Sequence, residues 1–207
     1  MKKVGYNFFK RFFDIILSLI ALVLLSPVFL TISIIDAFGS NRGPVFFKQT
    51  RIGRYHKPFK IYKFRSMIIN ADEVLHATPS LYEKYVKNNY KLEPKEDPRI
   101  TKMGRFIRKT SIDEIPQFIN ILKGEMSLIG PRPVVAEELY EYGDNIDQFL
   151  SVKPGAMGYW QASGRSNIGY PERAEIELYY VEHATFLFDL EIMIKNLLSI
   201  LKSEGAY

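Results

Sequence analysis

From Ile15 to Ile35 the chain runs for 21 residues without a charge, IILSLIALVLLSPVFLTISII, between Asp14 and Asp36. A helix rises about 1.5 Å per residue, so a straight one of this length would just cross a hydrocarbon core of roughly 30 Å. Two features work against a plain span. Ser26-Pro27 lies in the middle of the run, where proline removes a backbone donor, clashes with the preceding turn and pushes Ser26 out of helical geometry. Basic residues also flank both ends, with Lys2, Lys3, Lys10 and Arg11 before the run and Arg42, Lys48, Arg51, Arg54 and Lys57 after it. Lys and Arg gather on the cytoplasmic side, so both ends lie there only if the segment enters and leaves by one face. The pattern favours a re-entrant helix-break-helix over residues 1–40. A kinked span stays open, because prolines are tolerated in true transmembrane helices. A cleaved signal peptide is disfavoured, since the run exceeds the usual h-region of about 7 to 15 residues and no small-x-small site follows it.

The rest of the chain, residues 41–207, predicts one cytoplasmic domain of short elements. Val45 to Arg51 and Pro58 to Arg65 are β-rich and flank an Ile52-Gly53-Arg54-Tyr55 turn, which predicts a hairpin. Its second arm interleaves aromatics with Lys60, Lys63 and Arg65, either as a solvated basic strand or as a ridge that meets phosphates or lipid headgroups. Thr78-Pro79 reads as an N-cap with proline at the first helical position, followed by an apolar face of Leu81, Tyr82, Tyr85 and Val86. Residues 93–99 read as a loop, and Arg99 to Lys109 as a basic helix with Ile100, Met103, Phe106 and Ile107 on one side. Glu172 to Tyr180 is helix-prone. Phe186 to Leu201 sets Phe188, Ile192, Leu197, Leu198 and Leu201 among charges, a pattern shared by core-facing helices and amphipathic helices in a membrane interface. The expected fold is an α-rich α+β domain carrying one membrane-embedded helix pair.

Composition narrows the function classes. With 28 basic against 23 acidic residues the net charge is +5, suiting an anionic partner: nucleic acid, anionic lipid or a phosphorylated substrate. Cysteine is absent, which excludes disulfides, thiolate metal sites and a cysteine nucleophile. His56, His76 and His183 are scattered without ligand spacing, and neither a P-loop nor a dinucleotide-binding glycine pattern occurs.

Candidate chemistry concentrates between Arg108 and Pro133, RKTSIDEIPQFINILKGEMSLIGPRP. Ser111-Ile112-Asp113-Glu114 fits a capping box, in which both acids only favour a helix start. A helix capped by Asp113 with Pro116 at its third position fits as well. In either register the acids sit at a helix N-terminus, where phosphate binds readily. Ile112, Ile115, Phe118, Ile119 and Leu122 share a face that would seat the helix and leave the acidic end accessible. An aspartate so placed can attack phosphorus and form an acyl phosphate. Two carboxylates facing a diphosphate need offsetting charge, which Mg²⁺ and the candidate clamps Arg105, Arg108, Arg132 and Arg165 would supply. A lone arginine such as Arg105 is more often a surface residue.

The ordered blocks KRFFDIILSLIALVLLSPVF, PVFFKQTRIG, FKIYKFRSM, DPRITKMGRFIRKTSIDEIPQFINILKGEMSLIGPRP, VKPGAMGYWQASGR and ELYYVEH resemble the bacterial sugar transferase family, the monotopic phosphoglycosyl transferases. The resemblance covers nearly the whole chain. It implies that Asp113 is the nucleophile and Glu114 the second acid of a dyad working with Mg²⁺. It matches Ser26-Pro27 to the break of a re-entrant membrane helix, and Lys63, Arg108, Arg132 and Arg165 to basic positions that meet substrate phosphates. The implied reaction is ping-pong transfer of a sugar 1-phosphate from a UDP-sugar to undecaprenyl phosphate, starting capsule or exopolysaccharide synthesis at the cytoplasmic face of the bacterial inner membrane. Membrane lipid is then a partner, nucleic acid is not, and a homodimer stays open. The segment VKPGAMGYWQASGRSNIGYPER looks more like the hexose-transferring branch, implying glucose or galactose 1-phosphate.

Larger relatives carry extra transmembrane helices and a preceding soluble domain that these 207 residues lack, so the resemblance is to a minimal catalytic unit or a part cut to it. Residues 71–97 form a longer segment than in the smallest relatives. The rival reading is a non-catalytic membrane-anchored scaffold whose Asp113 and Glu114 only cap a helix. A nucleic-acid binder has only the net charge in its favour, and the uncharged run opposes it.

Overall fold

The computed structural model describes residues 2–38, 42–88, 92, 95–164 and 168–201. Helix α1 (Lys2–Leu24) and helix α2 (Ser26–Phe38) carry the apolar run and meet at Leu25 with a 55° bend. Pro27 falls in the first turn of α2, where its missing N–H has no intrahelical partner to lose. The break therefore precedes the proline instead of falling on it, and Ser26 Oγ donates to Val23 O at 2.8 Å across it. Among the described residues no single helix is long and apolar enough to cross a membrane, whereas this bent pair passes by length and composition. Val23 and Leu24, at the bend, are each 71% exposed.

Both ends of the run are fastened to the same globular body. Asp14 accepts from Leu128 N at 2.8 Å and from Ser127 Oγ at 3.0 Å. Asp36 pairs with Arg65 at 3.2 Å, both side chains buried. Burying a charge is costly unless it is paired or hydrogen-bonded; Asp36 has its arginine, and Asp14 has its two hydrogen bonds. Upstream, Tyr6 and Lys10 converge on Asp189 at 2.7 and 2.6 Å, and Tyr180 donates to its other oxygen at 2.7 Å.

Strands β1 (Phe46–Ile52) and β2 (Pro58–Phe64) form the expected antiparallel hairpin, registered from Phe46 opposite Phe64 to Ile52 opposite Pro58. Short helices α3 (Ala71–Ala77) and α4 (Pro79–Lys87) follow. Thr78 is the N-cap residue of α4 and Pro79 begins it, though the threonine makes no side-chain cap bond. Helix α5 (Lys102–Lys109) starts three residues later than the pattern suggested, because Thr101 Oγ1 caps it by accepting from Gly104 N at 2.9 Å. Ile107 is buried as expected, but Phe106 is 57% exposed. Helix α6 (Gln117–Lys123) leads through Gly124, with φ of +81°, into β3 (Ser127–Ile129).

Strand β3 pairs in parallel with β4 (Gly155–Met157). Between them lie a 3₁₀ segment over Ala136–Asn145 and helix α7 (Ile146–Phe149). A Cβ on Gly155 would stand 2.1 Å from Gly130 N, so glycine alone lets the Gly130-Pro131-Arg132-Pro133 turn press against this strand. Helices α8 (Tyr159–Ser163), α9 (Glu172–His183) and α10 (Phe186–Leu201) complete the fold. Ile192 of α10 is fully buried, while Leu187, Leu190, Ile194, Leu197 and Leu198 stay 40–76% exposed. One face of α10 packs into the core, as the core-facing reading expects, and much of its remaining surface is apolar and exposed.

Three apolar clusters hold these pieces. One joins Phe59 and Ile61 of β2 to Ile121, Met126, Leu128, Tyr180 and Ile192. A second gathers Val134, Tyr142, Phe149, Leu150 and Ala174. The third joins Ile32 of α2 to Phe64 and Ile107, with Ile112 and Ile115 packed against it. That cluster couples the apolar helix pair to the turn that carries the acids.

Candidate functional site

Asp113 and Glu114 lie in a 3₁₀ turn, Ile112–Glu114, entered through Ser111 in left-handed geometry (φ +57°, ψ +16°). Neither capping register expected for Ser111 or Asp113 forms. Ser111 makes no side-chain cap bond, and α6 begins only after Pro116, which takes the N-cap position. Proline fits there because its ring sets φ near −65° and the position needs no intrahelical N–H bond.

The buried face of α6 also differs from the apolar stripe. Gln117, Asn120 and Ile121 are buried, whereas Ile112, Ile115, Phe118, Ile119 and Leu122 are only half-buried. The reason is a polar one. Asn120 Oδ1 accepts from Tyr62 N at 2.9 Å and Asn120 Nδ2 donates to Lys60 O at 2.7 Å, so the side-chain amide acts as a strand neighbour for β2. Arg11 of α1 closes the other end of α6 by donating to Ile121 O and Leu122 O at 2.6 and 2.8 Å, a cation at a helix C-terminus.

This packing brings β2 alongside the acids. Lys63 Nζ donates to Glu114 Oε1 at 2.8 Å. Arg108, at the end of α5, donates from Nε to Ser66 Oγ at 2.9 Å. Helix α5 reaches that place because Gly104 lies flat on the Ser66 backbone, where a Cβ would stand 1.8 Å from Ser66 O. Behind it, Arg99 grips Asp97 with two side-chain bonds of 2.8 Å.

Asp113 is buried, at 9% exposure, and not accessible as the apolar stripe implied. Burial pushes its carboxyl up to about 6; Lys63 and Arg108 pull it down, and Glu114 pushes it up. It is therefore largely ionised near neutral pH while remaining poorly hydrated, a condition that favours nucleophilic attack. Burial likewise lowers the Arg108 guanidinium, with Asp113 and Asp97 opposing.

Lys63 and Glu114 form one side of a cleft that is lined elsewhere by Gln117, Gln161, Arg51 and Arg132. Arg132 is placed by its backbone N–H, which donates to Glu177 Oε2 at 2.8 Å, and its guanidinium lies 5.5 Å from the Trp160 ring centroid. The fold thus gathers Lys63, Glu114 and Arg108 about Asp113 and sets Arg132 with Lys63 and Glu114 on one cleft. Arg105 is exposed on the outer face of α5. Arg165 lies outside the described residues. Ser26 and Pro27 stand at the bend of the helix pair, away from this cleft.

Sequence reasoning missed Arg51, Arg173, Glu177 and Trp160. Arg173 lies 4.5 Å from the Trp160 ring and 4.8 Å from that of Tyr170, and pairs with Glu177 at 3.6 Å. Glu177 is wholly buried, and burial raises it to about 7 against the pull of Arg173 and Arg132. The available signal was weak: Arg51 and Arg173 stand in the noticed stretches PVFFKQTRIG and SGRSNIGYPER, but Arg51 has no acid beside it and Arg173 sits between Glu172 and Glu175, a spacing common on solvated helices.

A family model described as bacterial sugar transferase matches residues 5–203. The chain is 43% identical, over its full length, to the undecaprenyl-phosphate galactose phosphotransferase of Salmonella typhimurium, of which it covers 43%. It is 40% identical to the exopolysaccharide production protein ExoY of Sinorhizobium fredii, covering 96% of this chain and 88% of that one. It is also 37% identical to the UDP-glucose:undecaprenyl-phosphate glucose-1-phosphate transferase of Klebsiella pneumoniae, covering 96% of this chain and 41% of that one. The chain thus spans less than half the length of the first and third of these relatives and nearly all of the second. By the extent of the family match and by these identities, this chain belongs to the bacterial sugar transferase family.

Proposed function

We propose that the protein transfers a sugar 1-phosphate from a UDP-sugar to a polyprenyl phosphate, undecaprenyl phosphate in a bacterium, through a phosphosugar carried on Asp113. The observation that carries this reading is the buried, still ionisable Asp113 held beside Lys63, Glu114 and Arg108 at a basic cleft. A carboxylate that only capped a helix would accept from the helix N–H groups, and none of the helix starts here uses Asp113 in that way.

In the first half-reaction an Asp113 oxygen attacks the sugar-bearing phosphorus of the UDP-sugar. The phosphorus–oxygen bond to UMP breaks, and UMP leaves with the bonding electrons. In the second, an oxygen of the polyprenyl phosphate attacks the same phosphorus and the Asp113 carboxylate is released, giving polyprenyl-diphosphate-sugar. No proton transfer is needed for Asp113 to act when it is ionised. Lys63, Arg108 and Arg132 offset phosphate charge, most strongly as the phosphoryl group develops extra charge in transit.

The donor set fits Mg²⁺. Glu114 and Asp113 are adjacent hard carboxylates, and no further His, Asp or Glu completes a dedicated metal cage among the described residues. Mg²⁺ typically takes one or two carboxylates and leaves its other positions to water and substrate phosphate. Bound there, the ion would supply positive charge to the diphosphate.

The relatives named for galactose and glucose support a hexose 1-phosphate as the transferred group. The anchoring of Asp14 and Asp36 to one body supports a helix pair that dips into the cytoplasmic leaflet of the inner membrane and returns, with Val23 and Leu24 deepest. The exposed apolar side of α10 would lie in the same interface; the Phe186 ring at its start lies 5.4 Å from that of Phe13 of α1, tilted by 42°. The test is UMP release by the purified protein given polyprenyl phosphate, Mg²⁺ and a panel of UDP-sugars. Release that requires the lipid for turnover and vanishes in Asp113→Asn is expected; undiminished release by that variant would overturn the nucleophile.

A further inference from the structure

We infer that Arg51 and Arg132, backed by Arg173 and Glu177, form a second anion-binding subsite, which holds a substrate phosphate in the cleft that Lys63 and Glu114 also line. The inference rests on the reading above for the identity of the substrate.

Arg51 lines the cleft together with Arg132, and Lys63 and Glu114 line it as well. The Arg51 side chain is only 12% exposed, and burial lowers its guanidinium to about 10, with Arg132 and Arg173 lowering it further. Three guanidinium groups are thus gathered in a poorly hydrated place. Their acidic company is Glu138, 3.6 Å from Arg51 and 3.8 Å from Arg173, and Glu177, 3.6 Å from Arg173. These distances exceed good hydrogen bonds, and Arg51 Nε, Arg173 Nε and Arg173 Nη2 are buried without a hydrogen-bond partner. Such groups cost free energy unless a ligand or neighbour satisfies them.

The Arg51 fork is nevertheless held in place. Its Nη2 donates to Gln49 Oε1 at 2.7 Å and its Nη1 to Pro133 O at 3.2 Å. The second of these ties Arg51 to the turn that carries Arg132. The charged groups that line the cleft are Arg51, Arg132 and Lys63 against Glu114 alone, so its lining carries net positive charge. A phosphate is the anion that complements guanidinium groups fixed in this way. Arg173 and Glu177 do not line the cleft; they are positioning residues, Glu177 by accepting from Arg132 N and Arg173 by adding charge behind it.

Two sources could present that phosphate, the nucleotide phosphate that leaves in UMP and the phosphate of the polyprenyl acceptor. Equilibrium binding of UMP and of uridine to the full chain in detergent, with Arg51→Ala and Arg51→Lys, separates them without needing turnover. For a nucleotide subsite, Arg51→Ala weakens UMP about ten- to hundredfold and leaves uridine unchanged, and Arg51→Lys recovers part of the loss. For an acceptor subsite, UMP binding and UMP/UDP-sugar exchange stay as in the wild type, while the KM for polyprenyl phosphate rises by a similar factor. UMP binding, exchange and acceptor KM all within about twofold of wild type, in a variant with an unchanged melting temperature, would overturn the subsite. UMP binding that depends on Arg51 in a protein with no transferase activity would instead overturn the transferase reading and keep the subsite.

Discussion

Lys63 Nζ stands 2.8 Å from Glu114 Oε1, joining the second strand of the hairpin to the acidic turn 51 residues later. The strand is held there by Asn120, which bonds the backbone on either side of Ile61. Lys63 therefore acts on both acids at once: it pairs with Glu114 and lowers the Asp113 carboxyl against the effect of burial.

Removing that charge should shift the pH dependence of the reaction. If Asp113 is the nucleophile proposed above, activity requires its ionised form, and kcat/KM should rise with pH through an acid limb near pH 6 in the wild type. In Lys63→Met the carboxyl loses its main stabilising charge and the limb moves to higher pH. At pH 7 the rate falls about ten- to hundredfold, in keeping with the loss of a charge-assisted contact. A limb left in place would separate Lys63 from Asp113.

Asp113→Asn should abolish transfer and yet raise thermal stability. Raising a carboxyl from 3.8 to about 6 on folding disfavours the folded state once the group ionises. The favourable contribution of the neutral acid is present below about pH 4 and is lost as pH rises through 6. That shift corresponds to about 3 kcal/mol above pH 7, and burial of the asparagine amide reduces the net gain to about 1–2 kcal/mol. Melting curves at pH 4.5 and 7.5 check this, the gain being confined mostly to the higher pH.

Gly104→Ala should damage the site without touching a charged residue. The added methyl would meet Ser66 O at 1.8 Å and Ser66 C at 2.6 Å, both backbone, so α5 must move off the segment that follows β2. Overpacking of this kind costs about 1–3 kcal/mol or more. Arg108 moves with the helix, so the rate should fall further than stability alone accounts for, measured at a temperature where the variant is fully folded.

The absence of cysteine makes the membrane path directly testable. Single cysteines at Gly5 and at Lys57 flank the helix pair and should react with an impermeant thiol reagent only from the cytoplasmic side. A cysteine at Leu24 should resist it from both sides. Labelling of the Gly5 variant from the periplasm would show a span and sink the re-entrant reading.

The features written in neighbouring residues were decided by the sequence itself. The uncharged run between Asp14 and Asp36, the break beside Pro27, the hairpin about Gly53 and the bounds of α10 all follow from periodicity, proline chemistry and turn residues acting within a few positions. The acid pair and most of its basic companions were also visible, as a dense chemical signal in one stretch. Tertiary structure decided the rest, because each remaining feature depends on residues far apart in the chain. Asp113 is buried because Ile32, Phe64 and Ile107 close over its turn from three other elements. Asn120, a polar residue outside the apolar stripe, faces inward because β2 offers it two backbone partners. Arg51 and Arg132 line one cleft because Gly130 and Gly155 let two backbones approach more closely than any side chain would allow, and no local pattern encodes that approach.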